Sequence, residues 1–174
     1  VRRSENDASR IRFNGERITQ LYELGAFAEK MLVHESALVR IRKDMPLDRA
    51  ALIGCAVTTG FGAVTNTANV SSEATVAVVG CGGVGLSAVN GASIFDASQI
   101  IALDVSEEKL DLAREVGATH TINVSDSEPV ETVLEMSDGG VEFSFEALGK
   151  KETAEQCFEM LCPGGVATVI GMIP

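Results

Sequence analysis

The sequence is short of positive charge. It carries 14 Lys and Arg against 25 Asp and Glu, a net charge of −11 over 174 residues. That shortage argues against a nucleic-acid partner, because strand binding needs clustered Lys and Arg, and against an anionic membrane surface. It leaves room for a small phosphate-bearing ligand, which free backbone N–H groups can hold without basic side chains. Cysteine is scarce too. Cys55, Cys81, Cys157 and Cys162 form no C-x-x-C pair and no disulfide framework, so a reducing, cytoplasmic setting is the expectation. No run approaches the roughly 18 apolar residues of a membrane span. No signal peptide follows the polar opening Val1-Arg2-Arg3-Ser4. The first residue is Val rather than Met, which suggests a fragment or a processed product.

What is present is 45% hydrophobic residues, ordinary for a chain that buries a core. The length suits one domain, or one domain with part of another. Residues 1–20 are charged and read as a solvated arm. Phe27, Met31, Val33, Leu38, Val39 and Ile41 suggest short strands on either side of His34-Glu35-Ser36. Pro46-Leu47-Asp48 opens a helix. Thr58-Thr59-Gly60 is expected to break it, with a second helix over 61–68.

After Glu73 the texture changes to short β-rich runs alternating with helices, the sign of parallel βαβ units. Strands are expected at 75–79, 99–103, 119–124, 141–145 and 166–170, with helices at 83–95, from Ser106 to Gly117, at 129–136 and at 151–161. This is a doubly wound α/β sheet one strand short of the six in a full dinucleotide fold.

The most informative segment is Gly80-Cys81-Gly82-Gly83-Val84-Gly85, a G-x-G-x-x-G between a strand and a helix. Gly80 permits the tight turn, Gly82 lets the backbone approach a pyrophosphate, and Gly85 allows close helix–sheet packing. The helix start offers free N–H groups and a positive dipole end. Asp104 lies 19 residues beyond Gly85 at the end of the next strand, close to the offset of about 20 for the acid that binds the adenosine ribose. Its charge would repel a 2′-phosphate and so favours NAD over NADP. Lys109 can reach the same ribose.

With these features in place, the sequence resembles the zinc-containing medium-chain alcohol dehydrogenases, including the glutathione-dependent formaldehyde dehydrogenase type. The matching stretches are IGCAVTTGFGAVTNTANV (53–70), VAVVGCGGVGLSAVNG (76–91), IIALDVSEEKLDLAREVGAT (100–119), DGGVEFSFEALG (138–149) and VIGMIP (169–174). The resemblance implies that Cys55 is a catalytic-zinc ligand and that Thr59 packs behind the nicotinamide. It implies that Gly83 and Val84 touch the nucleotide. Ala147, Leu148, Gly149 and Lys150 would line the nicotinamide ribose and the adenine side, with Ile170, Gly171 and Met172 near the carboxamide. Cys81 is expected to be a small apolar filler, and Cys157 and Cys162 buried thiols. His34 and His120 match no ligand position.

The implied organisation is the tail of a GroES-like catalytic domain over 1–50, and an NAD-binding Rossmann domain with bridging helices over 51–174. The implied reaction passes hydride between an alcohol, or a hydroxymethyl-thiol adduct, and NAD, with zinc as Lewis acid. The implied assembly is a homodimer or homotetramer. The family's other two zinc ligands, its hydroxyl relay and its four-cysteine zinc site have no counterpart in these 174 residues. The chain by itself is therefore expected to bind NAD weakly or not at all, and to oxidise no alcohol. Two alternatives stand beside this reading: a zinc-free quinone reductase of the same superfamily, against which the GCAVTTG context of Cys55 speaks, and a non-catalytic module that senses NAD.

Overall fold

The computed structural model describes residues 11–18, 29–125 and 127–173. Contacts divide the chain into two units, Val1–Met45 and Pro46–Pro174. In the first, Arg12–Phe13 (β1) and Glu16–Arg17 (β2) pair antiparallel. The turn is Asn14-Gly15, with φ of 49° and 86°. Two left-handed residues are what a two-residue hairpin of matching twist requires, and Asn-Gly supplies them at least cost. The described part of the expected arm is thus a hairpin; residues 1–10, 19 and 20 lie outside the described residues.

The short strands expected between residues 25 and 41 are not found from residue 29 onward, and 25–28 are not described. Glu35–Ala37 forms one 3₁₀ turn instead, with the His34 ring nitrogen accepting from Ser36 N at 3.2 Å. Leu32, Leu38 and Val39 are exposed. A β-like pattern becomes a strand only when another strand pairs with it, and no described residue pairs here.

The second unit opens with Leu47–Leu52 (α1), which continues through a wide π-type turn at Ile53–Val57 into Thr58–Gly62 (α2) and a second wide turn at Ala63–Ala68. The expected break at Thr58-Thr59-Gly60 does not occur. Gly60 sits inside the helical run because a Cβ there would lie 2.1 Å from Val84 O of the facing helix. The close approach that glycine allows offsets its poor helix propensity, about 1 kcal/mol. The run ends where Asn69 turns left-handed, φ 52°. Leu47–Ala68 spans 22 residues, and its most apolar stretch has a mean hydropathy of 1.2. By length and composition alone it is long and apolar enough to cross a membrane, which the reading as two short helices did not anticipate.

Thereafter strands and helices alternate: Thr75–Val79 (β3), Gly83–Ile94 (α3), Gln99–Asp104 (β4), Glu107–Glu115 (α4), His120–Asn123 (β5), Pro129–Met136 (α5), Val141–Glu146 (β6), Lys151–Glu159 (α6) and Leu161–Val169 (β7). The sheet is parallel throughout, in the order β5-β4-β3-β6-β7. This is the expected doubly wound α/β fold. β3 and β4 are nearly continuous apolar runs because both sheet faces are covered. On one face Val76, Val78, Ile100, Ala102 and Phe145 pack under Val64, Val89, Leu110 and Ala113. On the other, Ala77, Val79, Ile101 and Leu103 meet Val133, Cys157 and Met160.

β7 begins at Leu161, five residues earlier than expected, and α6 ends at Glu159 rather than 161. The extra length crosses Pro163-Gly164-Gly165 with a register shift between the Val141–Leu161 and Phe143–Val166 pairs. A proline is tolerated there because β7 is a sheet edge. Winding reverses at β3: β4 and β5 lie to one side, β6 and β7 to the other. A crevice opens at such a reversal, beyond the carboxyl ends of the strands.

Candidate functional site

Four strand ends meet at that carboxyl edge: Gly80 after β3, Asp104 at the end of β4, Glu146 at the end of β6 and Ile170 after β7. Gly80 turns with φ +95°, and its N–H donates to Leu103 O at 2.8 Å. A Cβ on Gly85 would lie 1.7 Å from Gly80 O. The last glycine of the loop is therefore needed by the loop's own backbone as much as by the sheet. Gly82, at the N-cap of α3, differs. Its φ is −77° and nothing lies within 4 Å of a Cβ built there. Neither strain nor packing in the chain calls for glycine, so the open space beside it suits a ligand that approaches the backbone. The first amides of α3, from Gly83 and Val84, have no helical carbonyl to donate to, and the helix dipole favours an anion there.

The Asp104 carboxylate is buried against this loop. Its Oδ2 accepts from Cys81 N at 2.8 Å and lies 3.6 Å from Lys109 Nζ; its Oδ1 accepts from Ser106 N at 3.0 Å. Asp104 thus ties the loop to the start of α4, and a carboxylate with about four acceptor sites keeps capacity for a hydroxyl. Cys81 fills space as expected: it is buried, and burial, reinforced by Asp104 and opposed by Lys109, pushes its thiol up to about 12.

Residues 83–174, more than half the chain, match the family model described as zinc-binding dehydrogenase. The chain belongs to the zinc-binding dehydrogenase family. Among solved structures it is similar to benzyl alcohol dehydrogenase from Acinetobacter calcoaceticus, at 39% identity and a TM-score of 0.75 over 78% of this chain and 37% of that one. A zinc-binding-domain alcohol dehydrogenase from Burkholderia ambifaria gives 37% identity and a TM-score of 0.74, covering 76% of this chain and 36% of that one. Alcohol dehydrogenase TADH from Thermus sp. ATN1 gives 32% identity and a TM-score of 0.72 over 78% and 39%. The chain therefore spans less than two fifths of the length of these relatives.

In this dehydrogenase chain the other expected site residues fall into two groups. Cys55 and Thr59 lie on the Leu47–Ala68 run, both exposed. The run reaches the loop, since a Cβ on Gly83 would sit 3.2 Å from Ala56 Cβ. A catalytic zinc needs three protein ligands, and no group of three His, Cys, Asp or Glu side chains among the described residues could hold a metal. The described residues thus do not by themselves supply a zinc site. The open position at Gly82 and the buried carboxylate of Asp104, by contrast, fit a dinucleotide.

The second group surrounds the exits of β6 and β7. Leu148 lies over the loop, its Cγ 2.7 Å from a Cβ built on Gly80. Gly149 turns with φ +81°, and a Cβ there would meet Met172 O at 2.6 Å. Lys150 caps α6 and is exposed. Ile170 packs partly into the core, and the Met172 side chain is exposed. Cys157 is buried, its thiol pushed up to about 12 by burial and then by Glu146; Cys162 is only partly buried.

One residue escaped the sequence reading. Glu146 is wholly buried at the end of β6, and its Oε1 accepts from Leu148 N at 2.9 Å, Gly149 N at 2.8 Å and Thr153 Oγ1 at 2.7 Å. The available signal was an acid closing the alternating strand Val141–Glu146 immediately before Ala147-Leu148-Gly149.

Proposed function

We propose that this chain is the nucleotide-binding part of an NAD-dependent alcohol dehydrogenase. The pyrophosphate rests on Gly82 and on the free amides of Gly83 and Val84, inside the turn made by Gly80 and Gly85. Asp104 accepts the adenosine ribose hydroxyls, with Lys109 beside it. Thr59, the 147–150 turn and residues Ile170, Gly171 and Met172 surround the nicotinamide half. When bound, NAD supplies the hydride acceptor, and the chain's part is to bind and orient it. The substrate is an alcohol or a hydroxymethyl-thiol adduct. Cys55 is one zinc donor of the complete site, and the assembled enzyme is a homodimer or homotetramer.

The observation that carries the reading is the pairing of open space at Gly82 with the Asp104 carboxylate 2.8 Å from the neighbouring loop amide. A buried carboxylate there favours a ribose hydroxyl and repels a 2′-phosphate. Of the two outcomes expected for the chain alone, weak binding of NAD and none, this pairing favours the first, and titration with NAD and NADP tests it directly. NAD is expected to bind at least about tenfold tighter, since the clash of like charges, only partly offset by Lys109, is worth more than about 1.4 kcal/mol, and Asp104→Asn should narrow the gap. Equal affinity for the two nucleotides would contradict the assignment. A chimera in which this chain replaces the matching part of the Acinetobacter relative should produce NADH from an alcohol. The 174 residues alone should not.

A further inference from the structure

We propose that Glu146 is a positioning residue for the nicotinamide half of the nucleotide, its buried carboxylate fastening the turn that leaves β6 against the segment that leaves β7. The proposal rests on the NAD reading above. A fully buried carboxylate is costly unless its charge is met by donors. Here one oxygen meets all of them. Oε1 accepts from Leu148 N, Gly149 N and Thr153 Oγ1 at 2.7 to 2.9 Å, with Lys150 N more distant at 3.5 Å. The 147–150 turn is wrapped around that single atom.

The same residue also fixes the neighbouring segment. The Glu146 carbonyl accepts from Ile170 N at 2.9 Å and from Gly171 N at 3.1 Å. A Cβ on Gly171 would stand 2.1 Å from Gly149 N and 2.5 Å from Glu146 Oε2. The two exits are therefore in backbone contact, with the carboxyl group between them. Oε2 itself is buried with no hydrogen-bond partner. A buried acceptor left unpaired calls for an explanation, and simple stabilisation of the strand end does not provide one.

Position gives the tie itself a role. If Asp104 on β4 takes the adenosine ribose, the dinucleotide crosses the reversal at β3 and its other half lies over β6 and β7. Leu148, on the fastened turn, already leans on Gly80. Moving this turn would reshape the nicotinamide side most, since Asp104 lies on β4, across β3 from β6.

Amide hydrogen exchange on the nucleotide-free chain, with Glu146→Gln and Glu146→Ala, tests the tie. Glu146→Gln is nearly isosteric and keeps an acceptor oxygen but loses the charge. Since charge-assisted hydrogen bonds are roughly twice as strong as neutral ones, the Leu148 and Gly149 amides should exchange about tenfold faster. Glu146→Ala should accelerate them further; if it does not fold, the Gln variant still decides. Titration with AMP and with NAD then separates positioning from general stability. NAD should bind about tenfold more weakly to Glu146→Gln as the charge-assisted contacts weaken, with AMP held within about twofold because Asp104 sits on β4, on the other side of β3 from the turn. Unchanged exchange at Leu148 and Gly149 would overturn the tie, and equal weakening of AMP and NAD would overturn the positioning role. If the unaltered chain binds neither nucleotide, the proposed function fails and the positioning role with it. The exchange rates would still report on the tie.

Discussion

At the residue scale, the four cysteines have separate fates that only packing decides. Cys81 and Cys157 are buried and hold their thiols up to about 12, whereas Cys55 is exposed. A thiol reagent at pH 8 should label Cys55 within minutes and leave Cys81 and Cys157 untouched until the chain unfolds; rapid labelling of Cys81 in the native chain would contradict its packing. The same values carry a pH dependence. A thiol that titrates at 9.0 in the unfolded chain and about 12 in the folded one keeps its proton longer when folded. Between those limits the native state binds more protons, so stability falls as pH rises from about 9 to about 12. Urea unfolding at pH 8 and pH 10.5 should therefore show a smaller loss for Cys157→Ala than for the unaltered chain. Gly80, Gly82, Gly85 and Asp104 were legible in the sequence because their spacing is a property of the backbone path. Glu146 was not, because an acid at a strand end is a weak signal until its burial is known.

At the element scale, two glycines of one helical run make opposite predictions. A Cβ on Gly60 would meet Val84 O at 2.1 Å and Ala88 N at 2.9 Å, both rigid backbone atoms, while Gly54 has nothing within 4 Å. Gly60→Ala should destabilise by about 1–3 kcal/mol through overpacking. Gly54→Ala should stabilise by roughly 0.4–1 kcal/mol through a less flexible unfolded chain. Thermal unfolding of both variants checks the pair, and a shift of the same sign in each would contradict the packing of α2 on α3. The places of α3, α4, α5 and the central strands could be read from sequence, since apolar runs and the turn residues between them mark each one. The helix through Gly60 and the early start of β7 could not. The first depends on which helix faces the glycine, and the second on an edge position that tolerates Pro163. Asn14-Gly15 was legible in principle, but the surrounding charge obscured it.

At the scale of the whole molecule, the residues proposed to hold the nucleotide all lie in Pro46–Pro174, and the chain spans under two fifths of the relatives it resembles. Leu32, Leu38 and Val39 in the other unit are exposed. Limited proteolysis should cut first between residues 29 and 45, and the product beginning near Pro46 should bind AMP as the whole chain does. Loss of binding on that cut would place part of the site in the first unit. The family could be read from the bridge, the loop and the strand order together, because each was matched at its proper spacing. The complete catalytic site could not, since of the expected zinc donors the chain carries only Cys55.

The central claim is that the open space at Gly82 receives a pyrophosphate. Titrating NADH fluorescence with the unaltered chain and with Gly82→Ala tests it most directly, because that Cβ meets no atom of the chain. Both proteins should melt within a few degrees of each other, because the poorer N-cap that Ala makes offsets the entropy it removes from the unfolded chain. The unaltered chain should bind NADH measurably, if weakly, and Gly82→Ala about ten- to a hundredfold less tightly, as expected for losing one charge-assisted hydrogen bond of about 1.5–3 kcal/mol. No binding by the unaltered chain, or equal binding by a stably folded Gly82→Ala, would contradict the account.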